Sequence, residues 1–197
     1  MPRARSGERR QQILEALALM LEENHGERIT TAALAQAVGV SEAALYRHFP
    51  SKSKMFDGLI QFIEESLFTR INRILDDEPK ADMRMQQIMT LLLGFSEKNP
   101  GISRLLQGDA LVGETKRLRD RVSQVFDRLE TQIKQVLREG ELDGSVRQPV
   151  PETARLFLAI TEGRIAHYVR SGFRANPLDG WPRQWAMLQT AIFRRRA

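Results

Sequence analysis

Apolar residues recur at three- and four-residue spacing along almost the whole chain, the period of helices packed on one side. Ile13, Leu14, Leu17, Ala18 and Leu21 form the first stripe, and Asn24-His25-Gly26 supplies a left-handed stop after it. Leu34, Ala35 and Val38 form a short second stripe that Thr30 or Thr31 can cap. Leu45 and Phe49 form a third, which Ser41 can cap and Pro50 stops. A long helix then spans 51–77, striped by Phe56, Leu59, Ile60, Ile63, Leu67, Ile71 and Ile74, before the breaker Glu78-Pro79-Lys80. Further helices are predicted over 83–98, 102–106, 114–139, 152–171 and 181–194, with 140–151 as a loop. No strand pattern, repeat or low-complexity tract interrupts this. The pattern predicts an all-α protein: a three-helix domain over residues 1–50 and a larger helical bundle over 51–197.

The second and third helices are short and meet at Val38-Gly39-Val40-Ser41. Two short helices around a tight glycine-containing turn are the signature of a helix-turn-helix. Leu34, Val38, Val40, Leu45 and Phe49 pack inward, so the third helix presents Glu42, Ala43, Tyr46 and Arg47 outward. Small side chains at Ala43 and Ala44 let a helix end approach base edges closely in a major groove. Thr30 and Thr31 open the second helix, where hydroxyls and backbone N–H groups suit a phosphate. Tyr46, His48 and Lys52 can do the same from the far side. The alternative is a structural helical corner that binds nothing.

Composition permits a nucleic-acid partner. The 197 residues carry a net charge of +5 and a sequence pI of about 10.0. Arg3, Arg5, Arg9 and Arg10 crowd one end of the sequence and Arg194, Arg195 and Arg196 the other, which reads equally as two solubilising tails. No stretch approaches the length of a membrane span, so a soluble cytoplasmic protein is expected. The sequence holds no cysteine and three histidines, His25, His48 and His167, in separate segments. It has no phosphate-binding glycine loop, no dinucleotide fingerprint and no zinc-protease motif. The adjacent acids Glu64-Glu65 and Asp76-Asp77 point about 100° apart on helices and read as solvated faces or helix ends. No catalytic site, metal or cofactor is expected.

The stretch from Thr31 through Val38-Gly39-Val40-Ser41 and Leu45-Tyr46-Arg47-His48-Phe49 to Lys52 resembles the DNA-binding motif of TetR-family regulators. Ala43 stands where many members carry glycine. The resemblance implies phosphate contacts from Tyr46, His48 and Lys52, base contacts from the helix carrying Ser41, Glu42, Ala43, Ala44 and Arg47, and pseudo-palindromic double-stranded DNA as partner. It also implies a homodimer through the last two helices. Phe157, Ile160, Ile165, Val169, Trp181, Trp185, Leu188 and Ile192 are available for that seam and for the internal core alike.

On the long fourth helix, periodicity puts Met55, Phe62, Thr69 and Arg73 on a face away from the core stripe, with Ser66 beside them. That face suits a peptide with apolar and acidic features, or packs on the DNA-binding helices. A narrower resemblance, carried by residues 28–72 and by LLLGFSEKNPG at 91–101, is to the nucleoid occlusion factors of the same family. It implies a protein of the cytoplasm and nucleoid. Bound to chromosomal sites, it engages the C-terminal tail of the division protein FtsZ and inhibits Z-ring assembly. The matching residues for the tail are Phe62, Arg70, Leu91, Gly94, Lys98 and Asn99, with Lys98 where arginine is familiar. The alternative is a ligand-responsive repressor of the same fold.

Overall fold

The computed structural model describes residues 6–23, 29–111 and 116–194. The expected stop at Asn24-His25-Gly26, Arg3, Arg5, Arg195 and Arg196 lie outside the described residues. The described residues form helices α1 (Ser6–Glu23), α2 (Thr31–Val38), α3 (Glu42–His48), α4 (Lys52–Asp77), α5 (Ala81–Lys98), α6 (Pro100–Leu106), α7 (Lys116–Leu142), α8 (Val150–Arg170) and α9 (Trp181–Ile192). A single 3-10 turn, Asp109–Leu111, follows α6. The only extended pairing among the described residues is one antiparallel bridge between Val146 and Phe193.

The chain forms two compact units, with boundaries inside α4, between α5 and α6, and inside α7. The first comprises the residues up to Glu64 together with Asn99–Val122. Ile13, Leu14, Leu17 and Leu21 of α1 are buried there with Leu34, Leu45, Phe49 and Phe56. Two residues set the crossing of α6 on α1. A Cβ on Gly101 would lie 1.9 Å from the Ala18 carbonyl oxygen, so only glycine allows this approach. Arg104, 6% exposed, donates from Nη1 to the Leu21 carbonyl at 2.8 Å, satisfying a group that a helix end leaves without an intrahelical partner.

The second unit comprises Glu65–Lys98 and the chain from Ser123 onward. α5 lies on α8 and α9, and Trp185 centres an aromatic cluster, its ring centroid 6.0 Å from those of Phe157, Trp181 and Phe193. Arg84 ties the end of α4 to its neighbours, donating to the Leu75 and Glu78 carbonyls and pairing with Glu139 of α7.

Three expectations need correction. Met55 is fully buried, not part of an outward face, because α4 is enclosed on more than one side near its start. A Cβ on Gly58 would meet Phe49 and Leu14 there, while Asp57 and Glu64 reach Arg117 and Arg121 of α7. Glu64, read as solvated, is 8% exposed and paired. Part of the expected 140–151 loop is helical, since α7 runs on to Leu142 and α8 begins at Val150. Gly140 makes that possible. A Cβ there would meet Val146 Cγ2 at 2.6 Å, so the missing side chain makes room for the returning segment, whose Val146 N–H bonds to the Gly140 carbonyl at 2.9 Å.

Candidate DNA interface

The turn between α2 and α3 is built from local chemistry. Thr30 caps α2, its Oγ1 accepting the Ala33 N–H at 3.1 Å. Gly39 ends α2 in the left-handed conformation at φ 70, which a Cβ would strain. Ser41 then caps α3 by accepting the Ala44 N–H at 3.2 Å. Each capping hydroxyl acts as an acceptor here and keeps its own proton for a second partner, such as a phosphate oxygen.

Leu45 and Phe49 are buried against the rest of the unit, which turns the other side of α3 outward. Glu42, Ala43, Tyr46 and Arg47 are exposed, and Ala44 and His48 are half-buried. Thr31 joins this group from α2. Its hydroxyl donates to Glu42 Oε2 at 2.8 Å and accepts from the Tyr46 hydroxyl at 3.3 Å. Lys52, half-buried at the start of α4, sits over the Phe56 ring at 5.6 Å.

Sequence reasoning gave Arg10 no place of its own. Its guanidinium stacks over the Phe49 ring, 4.8 Å from the centroid, which holds a cation from α1 beside the end of α3. The signal was present as the four-residue spacing from Arg10 to the core residue Leu14.

The family model for bacterial regulatory proteins of the tetR family matches residues 13–59. The model for the tetracyclin repressor-like, C-terminal domain of SlmA-like proteins matches residues 80–192. The nucleoid occlusion factor SlmA of Marinomonas sp. (strain MWYL1) is 61% identical over 186 residues, covering 93% of this chain and 94% of that protein. The nucleoid occlusion factor SlmA of Alteromonas mediterranea is 56% identical over 188 residues, covering 94% and 96%. The chain belongs to the SlmA family of TetR-type nucleoid occlusion factors. Solved structures agree on the fold. A TetR transcription regulator from Haloarcula marismortui superposes with a TM-score of 0.81 at 19% identity, covering 95% of this chain and 100% of that one. The fatty acid degradation regulator FadR from Bacillus halodurans gives 0.83 at 14%, covering 94% and 97%.

SlmA-type proteins are regulators, so the chain is not an enzyme. Among the described residues no group of three or more His, Asp or Glu side chains is placed to hold a metal, and no helix is long and apolar enough to cross a membrane.

The residues that the SlmA resemblance assigns to a protein partner lie in both units. In the first, Phe62 is half-buried on α4 and Asn99 precedes α6 as its N-cap residue. In the second, Arg70 is exposed on α4. Leu91, Gly94 and Lys98 follow one face of α5 at spacings of three and four; the first two are half-buried and Lys98 is exposed. A Cβ on Gly94 would make only an ordinary contact, 3.7 Å from Leu178 Cδ1.

The proposed dimer seam divides. Phe157, Ile165, Trp181, Trp185 and Ile192 are buried inside their own chain, and Ile160, Val169 and Leu188 are half-buried. The apolar side chains that α8 and α9 leave to solvent are others: Leu156 is 46% exposed and Met187 72%. Helical period alone did not separate these from the core residues beside them.

Proposed function

We propose that the chain binds pseudo-palindromic DNA as a homodimer and, while bound, holds the C-terminal tail of FtsZ so that division-ring assembly is inhibited over the nucleoid. The observation that carries this is the match to nucleoid occlusion factors along 93% of the chain, joined to a fully capped helix-turn-helix with an outward polar face. In this reading residues 1–50 carry most of the DNA contacts, and 51–197 carry dimerisation and partner binding. Two copies of α3 enter successive major grooves about one helical turn apart. Side chains from Ser41 to Arg47 face bases. Thr30, His48, Lys52 and Arg10 supply phosphate contacts, which makes affinity salt-dependent. For the tail, Phe62 and Leu91 give apolar contact, Arg70 and Lys98 meet carboxylates or carbonyls, Asn99 adds a polar contact, and Gly94 keeps the α5 face low. Lysine at position 98 keeps the charge but lacks the bidentate fork of arginine. The protein acts in the cytoplasm, on the chromosome.

The test is fluorescence anisotropy of a labelled FtsZ tail peptide, with and without palindromic DNA. Saturable binding that tightens with DNA is expected. Phe62→Ala with Arg70→Asp should abolish it and leave DNA binding intact; unchanged peptide binding by that variant overturns the residue assignment.

Dimerisation has its own prediction. Met187→Glu puts a charge at the most exposed apolar side chain of α9 and is expected to shift the protein from dimer to monomer in sedimentation, with DNA affinity falling at least tenfold. A dimer of unchanged stability would move the seam elsewhere.

One observation favours a second reading, the ligand-responsive repressor. The second unit has an open cleft of about 500 Å³ lined by Lys80, Asp82, Asp143, Gln189 and Arg194. Absence of tail binding alongside intact DNA binding would favour this alternative.

A further inference from the structure

The Tyr46–Thr31–Glu42 chain has only one possible direction. A carboxylate accepts hydrogen bonds and has no proton to donate. Thr31 must therefore give its hydroxyl proton to Glu42, at 2.8 Å, and the bond at 3.3 Å must be donated by Tyr46. The two hydroxyls are thereby committed to aiming one carboxylate. A flexible surface glutamate ordinarily loses rotamer freedom on being fixed, and here the neighbouring helix has already fixed it.

Glu42 stands on a surface otherwise furnished with Arg47, His48, Lys52 and Arg10. Among the described residues it has no ion-pair partner. A carboxylate without a cation weakens binding to any phosphate backbone. It contributes favourably only where a base edge offers a donor. Guanine presents N7 and O6, both acceptors, and thymine presents O4 and a methyl group. Adenine offers N6 beside the repelling acceptor N7. Cytosine offers its N4 amine with no acceptor beside it.

We propose that Glu42 is the specificity residue for a cytosine in each half-site, accepting a hydrogen bond from the N4 amine in the major groove, and that Thr31 is the positioning residue that aims it. The inference rests on the DNA-binding reading and adds the identity of one base. It also gives Thr31 and Tyr46 a task other than phosphate contact: their donor protons are used within the protein.

The test is selection from duplexes randomised across both half-sites, using the full chain. The wild type should prefer cytosine at one position per half-site by about tenfold or more. Glu42→Gln should move that position toward adenine, whose N6 and N7 an amide can bind together. Glu42→Ala should lose the preference there and nowhere else. Thr31→Val should blunt it several-fold, and Thr31→Ser should keep it, which a merely structural role for the methyl group would not produce. A duplex with 2-pyrimidinone at that position lacks the N4 amine. It should bind the wild type about tenfold more weakly than the cytosine duplex, and Glu42→Ala equally well. An unchanged cytosine preference in Glu42→Ala overturns the assignment. Failure of the wild type to select any duplex overturns the DNA-binding reading itself.

Discussion

Gly101→Ala is expected to lower the unfolding free energy by about 3 kcal/mol and to weaken DNA binding with it. The added Cβ would stand 1.9 Å from the Ala18 carbonyl oxygen and 2.9 Å from the Glu22 nitrogen. Both are backbone atoms, so no rotamer change relieves the clash, and α6 must retreat from α1. Retreat would stretch the 2.8 Å bond from Arg104 to the Leu21 carbonyl and loosen Ile102 and Leu105, which are buried in the same unit. The intrinsic helix preference for alanine works the other way but is worth at most about 1 kcal/mol. Gly7→Ala is the control, because nothing lies within 4 Å of a Cβ there. Chemical denaturation should show a fall in midpoint for Gly101→Ala and none for Gly7→Ala. Equal midpoints would mean that α6 yields at no cost.

What the sequence makes legible, and what it hides, divides by range. Gly39, Ser41, Thr30 and Pro50 act on their immediate neighbours, so the corner between α2 and α3 can be read residue by residue. The exposed face of α3 follows once Leu45 and Phe49 are placed inside. Glu64 is different. Its neighbours in sequence say nothing of Arg121, 57 residues later, whose guanidinium lies 2.6 Å away. Met55 lies off the main stripe of α4 and is buried because that end of the helix has more than one neighbour. Gly140 looks like a loop residue until the segment it accommodates, Val146, is known. The aromatic residues of α8 and α9 share a period with their exposed neighbours, so core and seam cannot be told apart by spacing. Of the residues assigned to the FtsZ tail, helical period singles out Phe62 alone; Arg70, Leu91, Gly94, Lys98 and Asn99 were reached only through family resemblance.

Arg121→Met is expected to cost about 3 kcal/mol, since it takes the cation from a largely buried ion pair. Glu64 is 8% exposed and would lose a charge-assisted bond of 2.6 Å. Asp57 would lose the 3.4 Å contact with the same guanidinium but keep Lys54 at 3.2 Å and Arg117 at 3.1 Å. The larger loss should fall on Glu64, whose bond to Arg121 is the shorter of the two. The double variant Arg121→Met with Glu64→Leu replaces the pair by apolar groups of similar reach and should recover most of the stability. Recovery gives a strong coupling in a double-mutant cycle; simple addition of the two single losses would show that the pair does not act as a unit. Acid offers an independent check. Burial alone would raise the Asp57 carboxyl, but Lys54, Arg121 and Arg117 overcome it and hold it below the usual value. A depressed carboxylate stabilises the fold at pH values above its unfolded pKa, about 3.9, and that contribution is lost as pH falls through the folded value. With Arg121 gone the Asp57 carboxyl should move back up, so its share of the acid loss still begins near the unfolded value but is smaller and is complete at higher pH. Because α4 begins at Lys52, just after the recognition helix, the same substitution should also loosen the support of α3. Arg121→Met is therefore expected to weaken DNA binding, and the double variant to restore it.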